Sequence, residues 1–572
     1  MSSARPKPTD LGHHFSQTSK KRAPNVLKEY YKYLRIPEMG NLAGGLPSPS
    51  YFPFNNVDLS LAKPDSLGPS KYSEAAGGQA PQLRIPRRGD EPGSVRNVDL
   101  TTALQYGSAS GFPPLYAWLR KLTTTIYHPN IPYDGGADII VNGGSADGLF
   151  KVFELLFNPW DKTSGDARNR EGLIVEEFVY GPPIAQLKPK DVNIVPVKMD
   201  TEGMLAYGTG SLCHVLETWD CELGKRPHVV YLVPTGQNPT SGVLSLPRRR
   251  EIYDICSRFD IVIVEDDPYW NLYYPSTSTT PNFPKDPNHN YCVHDLRGKS
   301  TGYAFLDELV PSFLSLDNDG RVIRLDSFSK TVAPGCRLGW VTAQPSVCEK
   351  LFRITDGTTQ QPSGFVQAIV TQLIGDFGRD GPAETAVSVQ RPGGWGVGGW
   401  INWLEGLRFT YQRRMEKMAA ILEENRFLGI GGVQTEMFSF QRPAGGMFIW
   451  VKVNIGSHPL TSINPRRLMQ GLWVYCTQHP YRILVVPGGD FAANQTIKRD
   501  LGYVFFRFCF AAVEESILEA KSRAFAEACE SYWAITDAKV INEILHEEDL
   551  ARQMYEAGYD DTSFDREVVH RW

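Results

Sequence analysis

From about residue 100 onward, short apolar runs alternate along the chain with longer segments whose apolar residues recur at helical spacing. "ADIIVNGG" reads as a strand that ends in two glycines, and "SADGLFKVFELLF" behind it reads as an amphipathic helix. "GLIVEE", "HVVYLVP" and "DIVIVEDD" are further short apolar runs, with helix-like segments such as "LPRRREIYDICSRFD" between some of them. Short buried strands separated by helices imply right-handed crossovers and a largely parallel sheet. Functional residues are then expected where strands end and loops begin.

The pattern breaks in several places. Residues 1–32 are polar, basic and proline-bearing, and read as a mobile arm. Residues 33–99 hold the Gly/Pro-punctuated "AGGLPSPSYFPF" and a turn-rich stretch; they are expected to contribute to a small domain and a substrate lid. Residues 100–402 form the large domain, with surface insertions near 273–320 and 378–400. A long helical segment from Trp403 opens a smaller C-terminal domain, 403–538, and 539–572 is a charged tail.

Composition narrows the class. The 572 residues are 41% hydrophobic and 22% charged, ordinary for a folded protein. A formal net charge of -5 gives no global basic field for nucleic acid. Nine cysteines lie singly, with no metal-like Cys/His spacing, which suits reduced thiols in a cell and predicts no metal. No apolar run approaches membrane-spanning length and no signal-peptide core is visible, so a cytoplasmic location is expected.

Candidate chemistry centres on "VIRLDSFSKTVAPGCRLGWV", where Lys330 follows an apolar strand. A lysine there is ordinarily a solvated loop charge. Kept neutral by its surroundings, it forms an imine with an aldehyde. If that aldehyde is pyridoxal 5'-phosphate, the site needs phosphate donors, an acid for the pyridine nitrogen, donors for the ring 3-oxygen and a stacking surface. Gly143, Gly144 and Ser145 stand at a strand-to-helix turn, where helix N–H groups and a hydroxyl meet an anion. Ser327, Ser329 and Arg337 flank the lysine, although serines in such a turn commonly cap local backbone. "IVIVEDDPYW" ends a strand in Glu265, Asp266 and Asp267; Asn238 in "PTGQNPTSG" and Tyr269 offer donors, and Tyr180 an aromatic face.

"DSFSKTVAPGCRLGW", "PTGQNPTSG", "EDDPYW" and "NGGSADGLF", together with "AGGLPSPSYFPF", "LQYGSASGFPPLYAWL", "PAGGMFIW" and "FFRFCFA", resemble in content and order the class I/II aminotransferases of PLP fold type I. The subgroup they resemble most is the fungal aromatic-amino-acid aminotransferases and their kynurenine/2-aminoadipate relatives. The resemblance implies an α/β fold: a large domain with a mostly parallel sheet flanked by helices, plus a smaller C-terminal α/β domain. It implies that Lys330 is the Schiff-base lysine and proton carrier. Asp266 then pairs with the pyridinium, Asn238 and Tyr269 bind the 3-oxygen, and Tyr180 stacks on the ring. Ser145, the backbone at Ala146, Ser327, Ser329 and Arg337 hold the phosphate. Residue 146 is often glutamine in the family, so Ala146 removes one side-chain donor. Arg507 grips the substrate carboxylate and Gly45 belongs to a closing segment. Tyr106 reaches the phosphate of a neighbouring subunit, which implies a homodimer with shared sites.

The activity so implied is transfer of an amino group between an aromatic amino acid (tyrosine, phenylalanine or tryptophan) and a 2-oxo acid such as 2-oxoglutarate. A 2-aminoadipate or kynurenine donor and a lyase of the same fold are alternatives. A PLP-sensing transcriptional regulator is a third, against which stands the short, proline-rich segment before "AGGLPSP". Neither a nucleic acid nor a membrane is expected as partner.

Overall fold

A computed structural model of the chain describes residues 5–26, 30, 33, 36–40, 42–68, 81–89, 97–163, 165–275, 300–375, 394–430, 433–460 and 462–546. The chain folds as two units: Met1–Arg413 with Pro443–Met447, and Arg414–Arg442 with Phe448–Trp572.

In the first unit, β1 (Asn56–Ser60) and β2 (Gln82–Pro86) form an antiparallel pair. The main sheet contains β3 (Asp138–Asn142), β4 (Gly172–Glu176), β5 (Asn193–Val197), β6 (Val229–Leu232), β7 (Val262–Asp266), β8 (Val322–Ser327) and β9 (Gly339–Ala343). Their order is β3-β9-β8-β7-β6-β4-β5. Neighbours from β8 to β5 pair in parallel, and β9 runs antiparallel between β8 and β3. Every residue of β4, β6, β7, β8 and β9 is buried, which explains why these strands read as unbroken apolar runs rather than alternating ones.

Helices of this unit include α1 (Pro113–Lys121), α2 (Ser145–Leu156), α3 (Leu246–Arg258), α4 (Pro345–Asp356) and α5 (Gly364–Ile374), and α6 (Gly396–Glu424) has its first part, to Arg413, in this unit and its remainder in the second. The start of α3 shows why the sequence stops and starts where it does: the Ser245 side chain accepts from the Arg248 N–H, and proline occupies the first turn, where its missing N–H costs nothing. The second unit pairs β10 (Phe427–Ile430) with β11 (Val433–Glu436). It also carries an antiparallel sheet of β12 (Phe438–Phe440), β13 (Phe448–Val453), β14 (Val486–Pro487) and β15 (Phe505–Cys509), ordered β12-β13-β15-β14. Helices α7 (Pro465–Thr477) and α8 (Glu515–Trp533) complete it.

Several expectations about organisation change. The arm is docked over its described residues: Leu11 and Phe15 are buried, Ser16 donates its N–H to Leu155 O and its hydroxyl to Glu154 O, and Thr9 N–H reaches Asp319 O. Residues 33–99 fall with the large unit, not the small one, and the division lies inside α6 at Arg413/Arg414 rather than at 403. Of the expected insertion at 273–320, residues 276–299 lie outside the described residues. The described remainder contributes Phe305, Leu306, Leu309, Val310, Phe313 and Leu314 to the core, all buried. Of 378–400, residues 378–393 lie outside the description, and 396–400 open α6 with Trp400 buried. The expected tail begins as helix, burying Ile541, Ile544 and Leu545; 547–572 lie outside the described residues.

Candidate active site

Because β3 and β4–β8 all run the same way, their carboxyl ends share one edge of the sheet. Asp266 ends β7, Gly143 and Gly144 follow β3, Tyr180 follows β4, Asn238 follows β6, and Ser327, Ser329 and Lys330 end or follow β8. Antiparallel β9 begins at that edge, so Arg337 returns to it, and register sets Gly339 opposite both Ser327 and Asn142.

Strand alternation divides the three acids of "EDD". Side chains two apart share a face, so Glu265 and Asp267 point one way and Asp266 the other. Arg324 lies opposite Glu265 on β8, fully buried. Its Nη1 is 3.0 Å from Glu265 Oε1 and 3.3 Å from Asp267 Oδ2, and its Nη2 is 3.0 Å from Asp326 Oδ1. Asp266 is left on the other face with Tyr231, whose hydroxyl donates to Asp266 Oδ2 at 2.8 Å. Asp266 Oδ1 is buried and makes no hydrogen bond among the described residues. Burial pushes the Asp266 carboxyl up to about 6, with the Tyr231 hydrogen bond pulling the other way. Tyr231 in turn is held far above its ordinary value by burial and by Asp266, so it stays a donor. Tyr180 and Tyr269 lie near enough to Tyr231 to add to that shift.

Glycine geometry builds a second feature. Gly144 has φ 97, open to glycine and costly for other residues, and it caps the start of α2. Its N–H goes to Asn142 Oδ1 and the Gly143 N–H to Asp147 Oδ2, both at 2.8 Å. A β-carbon placed on Gly144 would lie 3.0 Å from Arg337 Nη2, so the guanidinium stands over the first turn of α2. Arg337 holds a left-handed backbone itself, φ 45, a strained state for a side chain of its size. The Ser145 hydroxyl, beside them, is buried and faces the Asp266 carboxyl, which it helps to hold down, without the alignment of a full hydrogen bond. Ala146 is in the same turn, its carbonyl accepting from Gln186 Nε2. Ser327 Oγ donates to Ser329 Oγ at 2.8 Å and accepts from the Ser329 N–H at 3.0 Å, the local turn that serines commonly make, so these two are mutually engaged here.

Gln237 fastens the loop that carries Asn238. Its Nε2 donates to Glu176 Oε2 at 2.9 Å and to Phe178 O at 2.6 Å, while its Oε1 accepts from the N–H and hydroxyl of Thr240. Gly236 (φ 61) packs against Gly446 so tightly that a β-carbon would lie 2.4 Å from Gly446 Cα. Tyr106, more than half exposed, lines an open cleft of about 570 Å³ with Leu46, Ser48 and Gln361, and Gly45 adjoins it. The cleft's lining includes none of Asp266, Asn238, Tyr269 or Lys330. Arg507 belongs to the second unit, on β15, with its guanidinium 4.3 Å from the Phe448 ring centre and 4.6 Å from that of Phe491.

These residues fit the group that the sequence resemblance implies. A protonated pyridine nitrogen would supply a donor to Asp266 Oδ1, which has no well-aligned hydrogen bond among the described residues. A phosphate would accept from the Ser145 hydroxyl and from N–H groups of the first turn of α2, beside a planar cation. Leaving two such buried polar atoms unmet costs about 1–3 kcal/mol each. The sequence reading missed Tyr231, Arg324 and Gln237. Tyr231 and Arg324 were detectable as polar residues inside apolar strands; Gln237 offered no signal beyond its loop.

Comparison with known proteins agrees with this geometry. A profile of the family described as aminotransferase class I and II matches residues 97–521. The chain is 33% identical over 452 residues to an L-tyrosine:2-oxoglutarate aminotransferase, amt1, of Serpula lacrymans, covering 78% of this chain and 76% of that one. It is 30% identical over 528 residues to aromatic amino acid aminotransferase 2 of Saccharomyces cerevisiae, covering 90% and 95%. Among solved structures, the aminotransferase Aro8 of Candida albicans superposes with a TM-score of 0.73 at 29% identity, covering 93% of this chain and all of that one. The carboxyl-edge arrangement and these likenesses lead to one conclusion: this chain belongs to the class I and II aminotransferases, enzymes whose cofactor is pyridoxal 5'-phosphate.

Proposed function

We propose that this aminotransferase exchanges amino groups between an aromatic amino acid and 2-oxoglutarate, as a cytoplasmic homodimer. The observation that carries the reading of the site is Asp266, a buried carboxyl with one oxygen fixed by Tyr231 and the other without a well-aligned hydrogen bond, at the edge where Lys330 stands. The aromatic preference rests on what the fungal relatives are named for. Bound pyridoxal phosphate supplies an electron sink for the substrate's α-carbon. Asp266 keeps the pyridine nitrogen protonated, and Tyr231 keeps Asp266 oriented. Asn238 and Tyr269 donate to the ring 3-oxygen, and Tyr180 covers the ring face. Arg337, Ser145, the Ala146 N–H, and the hydroxyls of Ser327 and Ser329 hold the phosphate. Lys330 would carry the substrate's α-proton, a role in which a positioned base contributes roughly 10²–10⁴-fold. Arg507 takes the substrate carboxylate through paired N–H donors. Gly45 belongs to the segment that closes over the substrate, and Tyr106, exposed in its cleft, serves the neighbouring subunit's phosphate.

The test is the visible absorbance of the cofactor-loaded protein. Tyrosine is expected to bleach the band and 2-oxoglutarate to restore it, with neither change in Lys330→Ala. A band indifferent to tyrosine, phenylalanine and tryptophan alike, yet responsive to 2-aminoadipate or kynurenine, overturns the aromatic assignment. Sedimentation of wild type and Tyr106→Ala, with cofactor retention measured in each, checks the dimer; a monomeric wild type that keeps its cofactor refutes it.

A further inference from the structure

At the docked end of the N-terminal segment, two adjacent histidines meet the turn between α3 and β7. His13 and His14 lie in a single tight turn, Gly12–His14, which sets their rings 4.1 Å apart on one side of the backbone. His13 Nε2 is 2.6 Å from Asp260 Oδ2, and His14 Nε2 is 3.2 Å from Asp260 Oδ1. One ligand-type atom from each of the three residues lies within 4.8 Å of the others. Asp260 holds a left-handed backbone, φ 56, at the tip of its turn.

Ion pairing alone accounts poorly for His14. The residue is 6% exposed, and its Nε2 faces a carboxylate oxygen 3.2 Å away without the alignment of a full hydrogen bond. Its other nitrogen, Nδ1, is 3.1 Å from Nδ1 of His228, whose ring stacks parallel to it. A histidine held through one ring nitrogen by a half-buried neighbour, with the other nitrogen facing a carboxylate, is oriented as a metal-ligating ring is oriented by a partner on its second nitrogen.

We propose that His13, His14 and Asp260 bind a divalent transition-metal ion of zinc's type, tying the N-terminal segment to the large unit. Two imidazoles and a carboxylate are a recognised zinc donor set, and three protein ligands leave a fourth position for water. Ligand atoms about 2.0–2.1 Å from a tetrahedral ion stand roughly 3.3 Å apart. The His14 contact to Asp260 Oδ1 is already at that spacing; His13, well exposed and 2.6 Å from the other oxygen, Oδ2, has roughly 0.7 Å to retreat to reach it. Arg321 Nη1 lies 3.5 Å from Asp260 Oδ1, but its fork is taken by Asp319, with Nη2 2.7 Å and Nε 2.9 Å from Asp319 Oδ2, so its charge is largely answered there. The sequence shows no metal-like spacing because residues 13–14 and 260 meet only through the fold.

The test uses tag-free, cofactor-loaded protein dialysed against zinc and then against metal-free buffer, with metal measured by mass spectrometry. Wild type is expected to retain about one more ion per chain than His13→Ala or Asp260→Asn, and to melt at a higher temperature with zinc present, a rise the variants lack. His13 is exposed enough for His13→Ala to fold, so that variant decides the matter if Asp260→Asn does not fold. Equal zinc content and equal thermal response in wild type and His13→Ala overturn the proposal and leave the cluster an ion-paired latch.

Discussion

Asp266 poses the sharpest electrostatic problem at the site: a buried carboxyl with one oxygen bonded to Tyr231 and the other without a well-aligned hydrogen bond. Its value near 6 stands above the 3.8 of a free aspartate because burial disfavours the charge. The folded protein therefore binds the proton more tightly than the unfolded chain does. Without cofactor, stability is lost as pH rises from the unfolded value through about 6, by an amount on the order of 3 kcal/mol. Cofactor-free Asp266→Asn is expected to gain on the wild type over that interval and stay level above it, read by denaturant unfolding across pH. With cofactor, the same substitution removes the pyridine's charge partner and is expected to lower kcat by at least ~10²-fold. Within "EDD", only the family likeness singles out Asp266 rather than Asp267 as the acid proposed for the pyridine nitrogen. Alternation puts Asp266 on the opposite face from its neighbours, but which face meets Tyr231 and which meets Arg324 is settled by how β6 and β8 lie beside β7.

At the scale of elements, the paired strands β7 and β8 enclose one cation among three carboxylates. Removing Arg324 leaves Glu265, Asp267 and Asp326 facing one another in the core. Arg324→Met is expected to cost roughly 3–5 kcal/mol. Burial raises Asp267, which Arg324 pulls back, so the loss should grow with pH as the acids ionise without their cation; unfolding at several pH values measures this. The loop after β6 offers a steric counterpart. Gly236→Ala puts a β-carbon against Gly446 in a left-handed conformation, so a cost of at least ~2 kcal/mol is expected. The same variant should lose activity beyond its stability loss, because Asn238 rides on that loop; kcat measured well below the melting temperature separates the two. "PTGQNP" announces a turn, yet nothing in it says that a glycine pair far along the chain will press against it.

Across the whole molecule, the seven-stranded sheet gathers residues from six separate stretches of chain at one edge, and the described N-terminal residues are part of the large unit rather than an appendage. Leu11→Ala is expected to cost up to about 2–3 kcal/mol, limited by undocking of the segment itself, and to expose residues 5–20 to proteolysis while leaving the cofactor's absorbance unchanged. The sequence by itself determined the βα alternation, the strand ends and the residue types at each, because apolar periodicity and turn chemistry are local properties. It misjudged residues 5–20, 300–320 and the beginning of the tail, which are polar or turn-rich on average but bury a few apolar side chains each. Only the tertiary structure decided which acid is left unpaired, that Tyr231 orients it, that Arg337 stands over the first turn of α2, and that His13 and His14 meet Asp260. Each of these depends on strand order and register, and those are set by contacts between residues distant in sequence, which no local pattern encodes.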